Sequence, residues 1–291
     1  MKIHCVYKAK NRLGEGPVWS SEERAIYWLD ILGQRLQRLE PATGKFNFWE
    51  TPSHVGCFAF GRDGRILLAL QDGFAWLDPN SDAVSMFFNP PENTPELRFN
   101  DGKCDRAGRF WAGTMEYDLR RPRACLYCLD ENGACTKMRD HIICSNGLGW
   151  SPDNRTMYFT DSLKYEIYAY DFDLKTGEIA NPRIFAKDYD HVPDGLTVDA
   201  EGFVWSAKWD GWRVVRYAPD GSVDREIELP VQRPTSCMFG GPDLTHLYVT
   251  SASVDLTEAE LQAGPLAGSL FMIETGIRGL PEPKFAGRFA R

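Results

Sequence analysis

An all-β fold, a six-bladed β-propeller closed around a central channel, is predicted by three features of the sequence. A short pattern recurs six times, its copies are 41 to 48 residues apart, and helical periodicity is nearly missing. Each copy has a polar or small residue, a few apolar ones, a turn rich in Asp, Gly, Asn or Ser, and then an apolar strand. The copies are Glu15–Ser20, Gly56–Gly61, Asn100–Asp105, Asn146–Ser151, Asp194–Asp199 and Thr235–Gly240. A spacing of about 40 to 50 residues filled with several short strands is the period of propeller blades.

The segments between copies supply the remaining strands and turns of a blade. Leu36–Leu39 precedes the turn Pro41–Gly44, Tyr165–Phe172 precedes Thr176-Gly177, and Val214–Tyr217 precedes Pro219–Gly221. Leu256–Leu261 alone reads as a helical turn, an insertion in the last blade. An open ring leaves an unpaired sheet edge. The apolar residues Ile3 to Tyr7 are the candidates for closing it, by pairing into the sixth blade. With no Pro/Gly/Ser-rich linker and an even repeat, residues 1–291 are expected to form one domain.

Composition narrows the function. Lys and Arg number 33 against 41 Asp and Glu, a net charge of −8, so a nucleic-acid partner is not expected. No apolar run reaches the ~18 residues of a membrane span, and no apolar leader follows Met1. We therefore expect a soluble cytoplasmic protein, a monomer or weak homo-oligomer. Its eight cysteines are expected as free thiols. Cys125 and Cys128 form a C-x-x-C on a predicted strand, where positions i and i+3 face opposite ways.

Equivalent positions of successive blades lie at one height on the ring. The first residues of the copies are Glu15, Gly56, Asn100, Asn146, Asp194 and Thr235, and four of them bear ligand-type oxygens. Surface turns also favour Asx and Gly. Against a plain turn role, Glu15, Asn146 and Asp194 are each followed by glycine, as Asn100 is one step later. Two carboxylates and two amide oxygens form an all-oxygen set of charge −2, suited to a hard cation such as Ca²⁺, Mg²⁺ or Mn²⁺. Without a cation, burial together would raise the carboxyl pKa values.

The phrases Leu13–Pro17, Arg98–Lys103, Gly113–Met115, Ser145–Leu148, Tyr158–Ser162, Pro193–Leu196 and Ser236–Gly241 resemble, in order and over nearly the whole chain, those of the regucalcin/senescence-marker-protein/gluconolactonase family. The resemblance implies a six-bladed propeller whose channel holds one divalent ion (Ca, Mg, Mn, Zn or Fe) on Glu15, Asn146 and Asp194. It implies substrate contacts at Arg98 and Asn100, with Asp101 beside them, and at Glu116. The implied activity is hydrolysis of sugar lactones; for that chemistry Asp194 is the candidate base that takes a proton from water, with ligation as its other role. Two alternatives stay open: a non-catalytic calcium-binding propeller, and a phosphotriester or other ester hydrolase on the same metal site.

Other residues carry weaker expectations. Asp105, Asp153 and Asp199 are read as turn formers. His191 is a candidate for the mouth, and Trp209 and Trp212 for stacking on a sugar ring. Lys208 and Arg213 are expected in solvent. A Lys208 turned into the mouth would instead favour an anionic lactone.

Overall fold

The computed structural model describes residues 1–288 and contains six four-stranded antiparallel sheets, each formed by consecutive strands except the last. The innermost strands of blades one to six are Gly14–Ser20, Val55–Phe60, Leu97–Cys104, Ser145–Trp150, Val192–Val198 and Pro234–Gly240. These are the six sequence copies. In the sixth blade the outermost strand is Lys2–Tyr7, which pairs antiparallel with Leu270–Glu274. The N-terminus thus closes the ring as expected, and the edge that strand Leu270–Glu274 would otherwise expose is covered.

Burial falls outward along each blade. In blade one the second strand, Ala25–Asp30, is buried throughout, whereas the fourth, Lys45–Glu50, is mostly exposed. This difference follows the sequence: an unbroken apolar run sits between two neighbouring sheets, while an alternating strand faces water on one side. Six apolar clusters result, one between each pair of adjacent blades. Phe99 and Phe110 of blade three, for example, pack on Phe74 of blade two.

The turn aspartates also tie strands together. Asp105 accepts from the backbone of Ala107, Gly108 and Arg109 and from Trp111 Nε1 at 3.0 Å. Asp199 does the same in blade five, reaching Trp205 Nε1 at 2.8 Å. Both are fully buried. They build hairpins, as read from the sequence.

Past the sixth blade, the chain crosses the rim at which the inner strands end. Ala200 N donates to Arg278 O, Phe285 N to Phe60 O, and Ala286 N to Gly108 O. Phe285 is buried against Trp76. The opposite rim, where the inner strands begin, is left to the loops between blades. The expected helical turn in blade six is the helix Glu258–Ala263, starting later than read because Thr257 is its N-cap, in a capping box with Glu260. All eight cysteines are free, with Cys125 and Cys128 on one strand. Among the described residues no helix is long and apolar enough to cross a membrane.

Candidate functional site

Every inner strand is bulged at its leading end. The pairing register with the second strand slips between Glu15 and Val18, Val55 and Cys57, Phe99 and Gly102, Asn146 and Leu148, Pro193 and Leu196, and Pro234 and Cys237. A bulge releases a residue from the ladder and re-aims its side chain. Here it does so six times: Asn100 and Asp194 fall within the slips, and Glu15 and Asn146 are the last paired residues before them. The glycines that follow allow neighbouring strands to touch. A Cβ on Gly147 would lie 2.7 Å from Asp194 O, and one on Gly195 would lie 2.1 Å from Ser236 Oγ.

The bulges open onto a cavity of about 250 Å³ lined by Glu15, Arg98, Asn100, Asn146, Ser162 and Asp194, with apolar residues above them. All six of these side chains belong to buried residues. Asn146 Nδ2 donates to Ser162 Oγ at 3.1 Å, and Ser162 is placed there by the short 3₁₀ turn Ser162–Lys164, a feature missed in the sequence reading. Arg98 Nη1 donates to Asn100 Oδ1 at 2.7 Å and to Phe99 O at 2.9 Å, and Asn100 Nδ2 donates to Ser145 O at 2.9 Å.

Two buried oxygens at this place, Asn146 Oδ1 and Asp194 Oδ1, have no hydrogen-bond partner among the described residues. Buried polar atoms are normally satisfied, so each such orphan requires an explanation. Burial pushes the Glu15 carboxyl well above the usual carboxylate range, and the nearby Asp194 and Asp101 carboxylates push it further. Asp194 is raised likewise, by burial and then by Asp101, with the Asn146 amide and Arg98 working against the shift. Two crowded carboxylates and an unused amide oxygen fit a hard cation. Among the described residues no three His, Cys, Asp or Glu side chains are grouped to hold a metal; the third donor here is an amide.

Not every predicted residue reaches this cavity. Asp101, its carboxyl raised by burial, accepts from Gly102 N at 2.7 Å and faces a separate small void deeper in the channel, with Lys103 and Glu282. Glu116 is buried but engaged elsewhere. It accepts from Arg121 N and Nε, and Arg121 holds its carboxyl below the usual range, so it builds the loop after its strand.

Trp209 lines the cavity, whereas His191 and Trp212 do not. Lys208 is neither solvated nor in the mouth. It is fully buried, with Nζ 3.0 Å from Asp188 Oδ2 and above the Tyr217 ring, because its strand position turns the side chain between sheets. Arg213 is half-buried on Glu226.

A family model described as the SMP-30/gluconolactonase/LRE-like region matches residues 13–253. The chain is 38% identical over 287 residues to a 6-deoxy-6-sulfogluconolactonase of Pseudomonas putida, covering 98% of this chain and 99% of that protein. It is 38% identical over 296 residues to regucalcin of Gallus gallus, covering 99% of each. The crystal structure of a calcium-binding protein, regucalcin, from Agrobacterium tumefaciens superposes with a TM-score of 0.93 at 28% identity, over 97% of this chain and 96% of that one. Matched over nearly its full length in sequence and in the ring of six blades, the chain belongs to the SMP-30/gluconolactonase/LRE-like family.

Proposed function

We propose that this protein is a divalent-metal-dependent hydrolase that opens sugar lactones to the free acid. The observation that carries the reading is the pair of unsatisfied oxygens, Asn146 Oδ1 and Asp194 Oδ1, in one buried cavity with Glu15 and beside Arg98. The sulfogluconolactonase similarity supports the same chemistry.

Glu15, Asn146 and Asp194 would hold the ion. When bound, a divalent cation supplies an electrophilic centre that polarises a carbonyl and acidifies water. The chain's own groups do the rest. Asp194 takes a proton from the attacking water as its oxygen bonds to the lactone carbon. The ring C–O bond then breaks, and the departing alkoxide takes that proton to become the free hydroxyl. Water is consumed, and the product is a hydroxy acid. Arg98, fixed by Asn100 and the Phe99 carbonyl, faces the cavity with its remaining nitrogens and orients the lactone.

A panel of sugar lactones and phosphotriesters, each with the ion and with chelator, tests this reading. Chelator-sensitive opening of lactones is expected. Turnover of phosphotriesters alone would replace it with the ester-hydrolase alternative. Binding of calcium without turnover of either would favour a binding propeller, an outcome that the regucalcin similarity keeps in view.

A further inference from the structure

We infer that the lactone taken by this site carries an apolar exocyclic end, as in a terminally deoxygenated sugar acid, rather than a hydroxymethyl or anionic one. This inference rests on the lactonase reading and narrows its substrate.

The first observation is a collar. Leu13, Met115, Leu119, Leu163, Val192 and Trp209 line the cavity. Leu13 and Val192 each stand two residues ahead of a candidate ligand on the way to the open rim, Met115 and Trp209 sit at the ends of second strands, and Leu119 and Leu163 follow such ends, so the collar lies between ligands and solvent. It draws on blades one, three, four and five. Leu119 is placed with particular effort. Its φ is +53°, a region costly for a leucine. Its N–H donates to Glu116 O at 3.1 Å, and the Glu116 carboxylate clamps Arg121 two residues on. A strained, cross-braced loop holds an apolar side chain over the site.

The second observation concerns the polar lining outside the proposed ion ligands: Arg98, Asn100, Ser162 and Asp210. Part of it is already engaged, Ser162 as an acceptor only and Asp210 through Oδ1 only. Asn100 is bonded at both its oxygen and its nitrogen. Ser162 Oγ accepts from Asn146. Asp210 accepts from Gln232 and Arg233. Arg98 alone retains free nitrogens, and it lies against the carboxylates of the floor.

A hydroxyl seated among the collar's aliphatic side chains, Leu13, Met115, Leu119, Leu163 and Val192, loses water partners that those side chains do not replace, whereas a methyl group there releases water from apolar surface. An anionic end fares worse. Arg98 is the one cationic side chain among the described lining residues, and Lys208 is held by Asp188 between sheets.

The test is a matched pair on the ion-loaded protein, D-glucono-δ-lactone against its 6-deoxy counterpart, which differ by one oxygen, with spontaneous hydrolysis subtracted. The kcat/KM is expected to favour the deoxy lactone by about tenfold or more, since apolar pockets discriminate such pairs by up to ~10². Leu119→Gln and Trp209→Gln should each narrow that ratio at least threefold, and circular dichroism identifies a variant that fails to fold. A ratio of one or below in the wild-type protein overturns this inference while leaving the lactonase reading standing. No chelator-sensitive turnover of either lactone overturns both.

Discussion

The Asn146 side-chain nitrogen donates to Ser162 Oγ at 3.1 Å, and the amide oxygen at the other end of the group is left buried and without a partner. That hydrogen bond helps to decide which atom of Asn146 is offered to the cavity. Groups that orient a ligand commonly change ion affinity about 10- to 100-fold when removed. Ser162→Ala is expected to weaken divalent-ion affinity by about tenfold, and Ser162→Thr to retain most of it, as read by calorimetric titration.

Crowding of acids makes the ion-free protein sensitive to base. The folded-state pKa values of Glu15 and Asp194 are raised, so the folded chain holds protons that the unfolded chain has released. Their contribution to stability is fully present below the ordinary carboxyl pKa of about 4 and is lost as pH rises through the raised values, at about 1.4 kcal/mol for each pK unit. Melting in chelator across pH 5 to 9 should therefore show a decline that Glu15→Gln and Asp194→Asn each reduce. A saturating divalent ion should reduce it as well, because it stabilises the charged forms.

Lys208 is a structural cation. Its ammonium is fully buried, burial lowers its pKa, and Asp188 opposes that shift. Asp188 Oδ1 also accepts from His191 N at 3.2 Å, so the pair braces the loop that leads into the strand of Asp194. Lys208→Met leaves a partly hydrated Asp188 without its partner and is expected to cost about 1–3 kcal/mol in urea unfolding. Preference between neutral and anionic lactones should not change.

Phe285 anchors the segment that crosses the far rim. Phe285 is fully buried and packs on Trp76, so Phe285→Ala is expected to destabilise the fold by about 3–5 kcal/mol, measured by chemical denaturation. Ion affinity, set at the other rim, should stay within about twofold of wild type.

The fold was legible because each blade repeats its turn chemistry. Asp105 and Asp199 occupy matching places and make matching bonds to Trp111 and Trp205, so local sequence and tertiary role coincide. Ring closure by Lys2–Tyr7 was also legible, since an apolar strand at one terminus and a blade one strand short at the other leave few pairings. The lining by Glu15, Asn146 and Asp194 followed from their equivalent positions. The bulges that aim them leave no mark in the sequence beyond the glycines beside them.

What could not be read depends on side-chain direction. Glu116 and Asp101 lie a few residues from Arg98 and Asn100 in sequence or across one hairpin, yet a strand turns alternate residues to opposite faces. Glu116 is consequently taken by Arg121 and Asp101 by the deeper channel. The sequence alone places Lys208 in solvent, where lysines usually lie. Its partner Asp188 lies 20 residues earlier, in the loop before strand Val192–Val198, and comes near when that strand pairs with Val204–Trp209.

Counting ions per chain tests the central claim most directly. Titration of Mn²⁺ into chelator-treated protein, followed calorimetrically, should give one site per chain in the wild type and no measurable site in Glu15→Ala or Asp194→Ala, with circular dichroism unchanged. One tight site of undiminished affinity in either variant would contradict the assignment of these residues to a common ion.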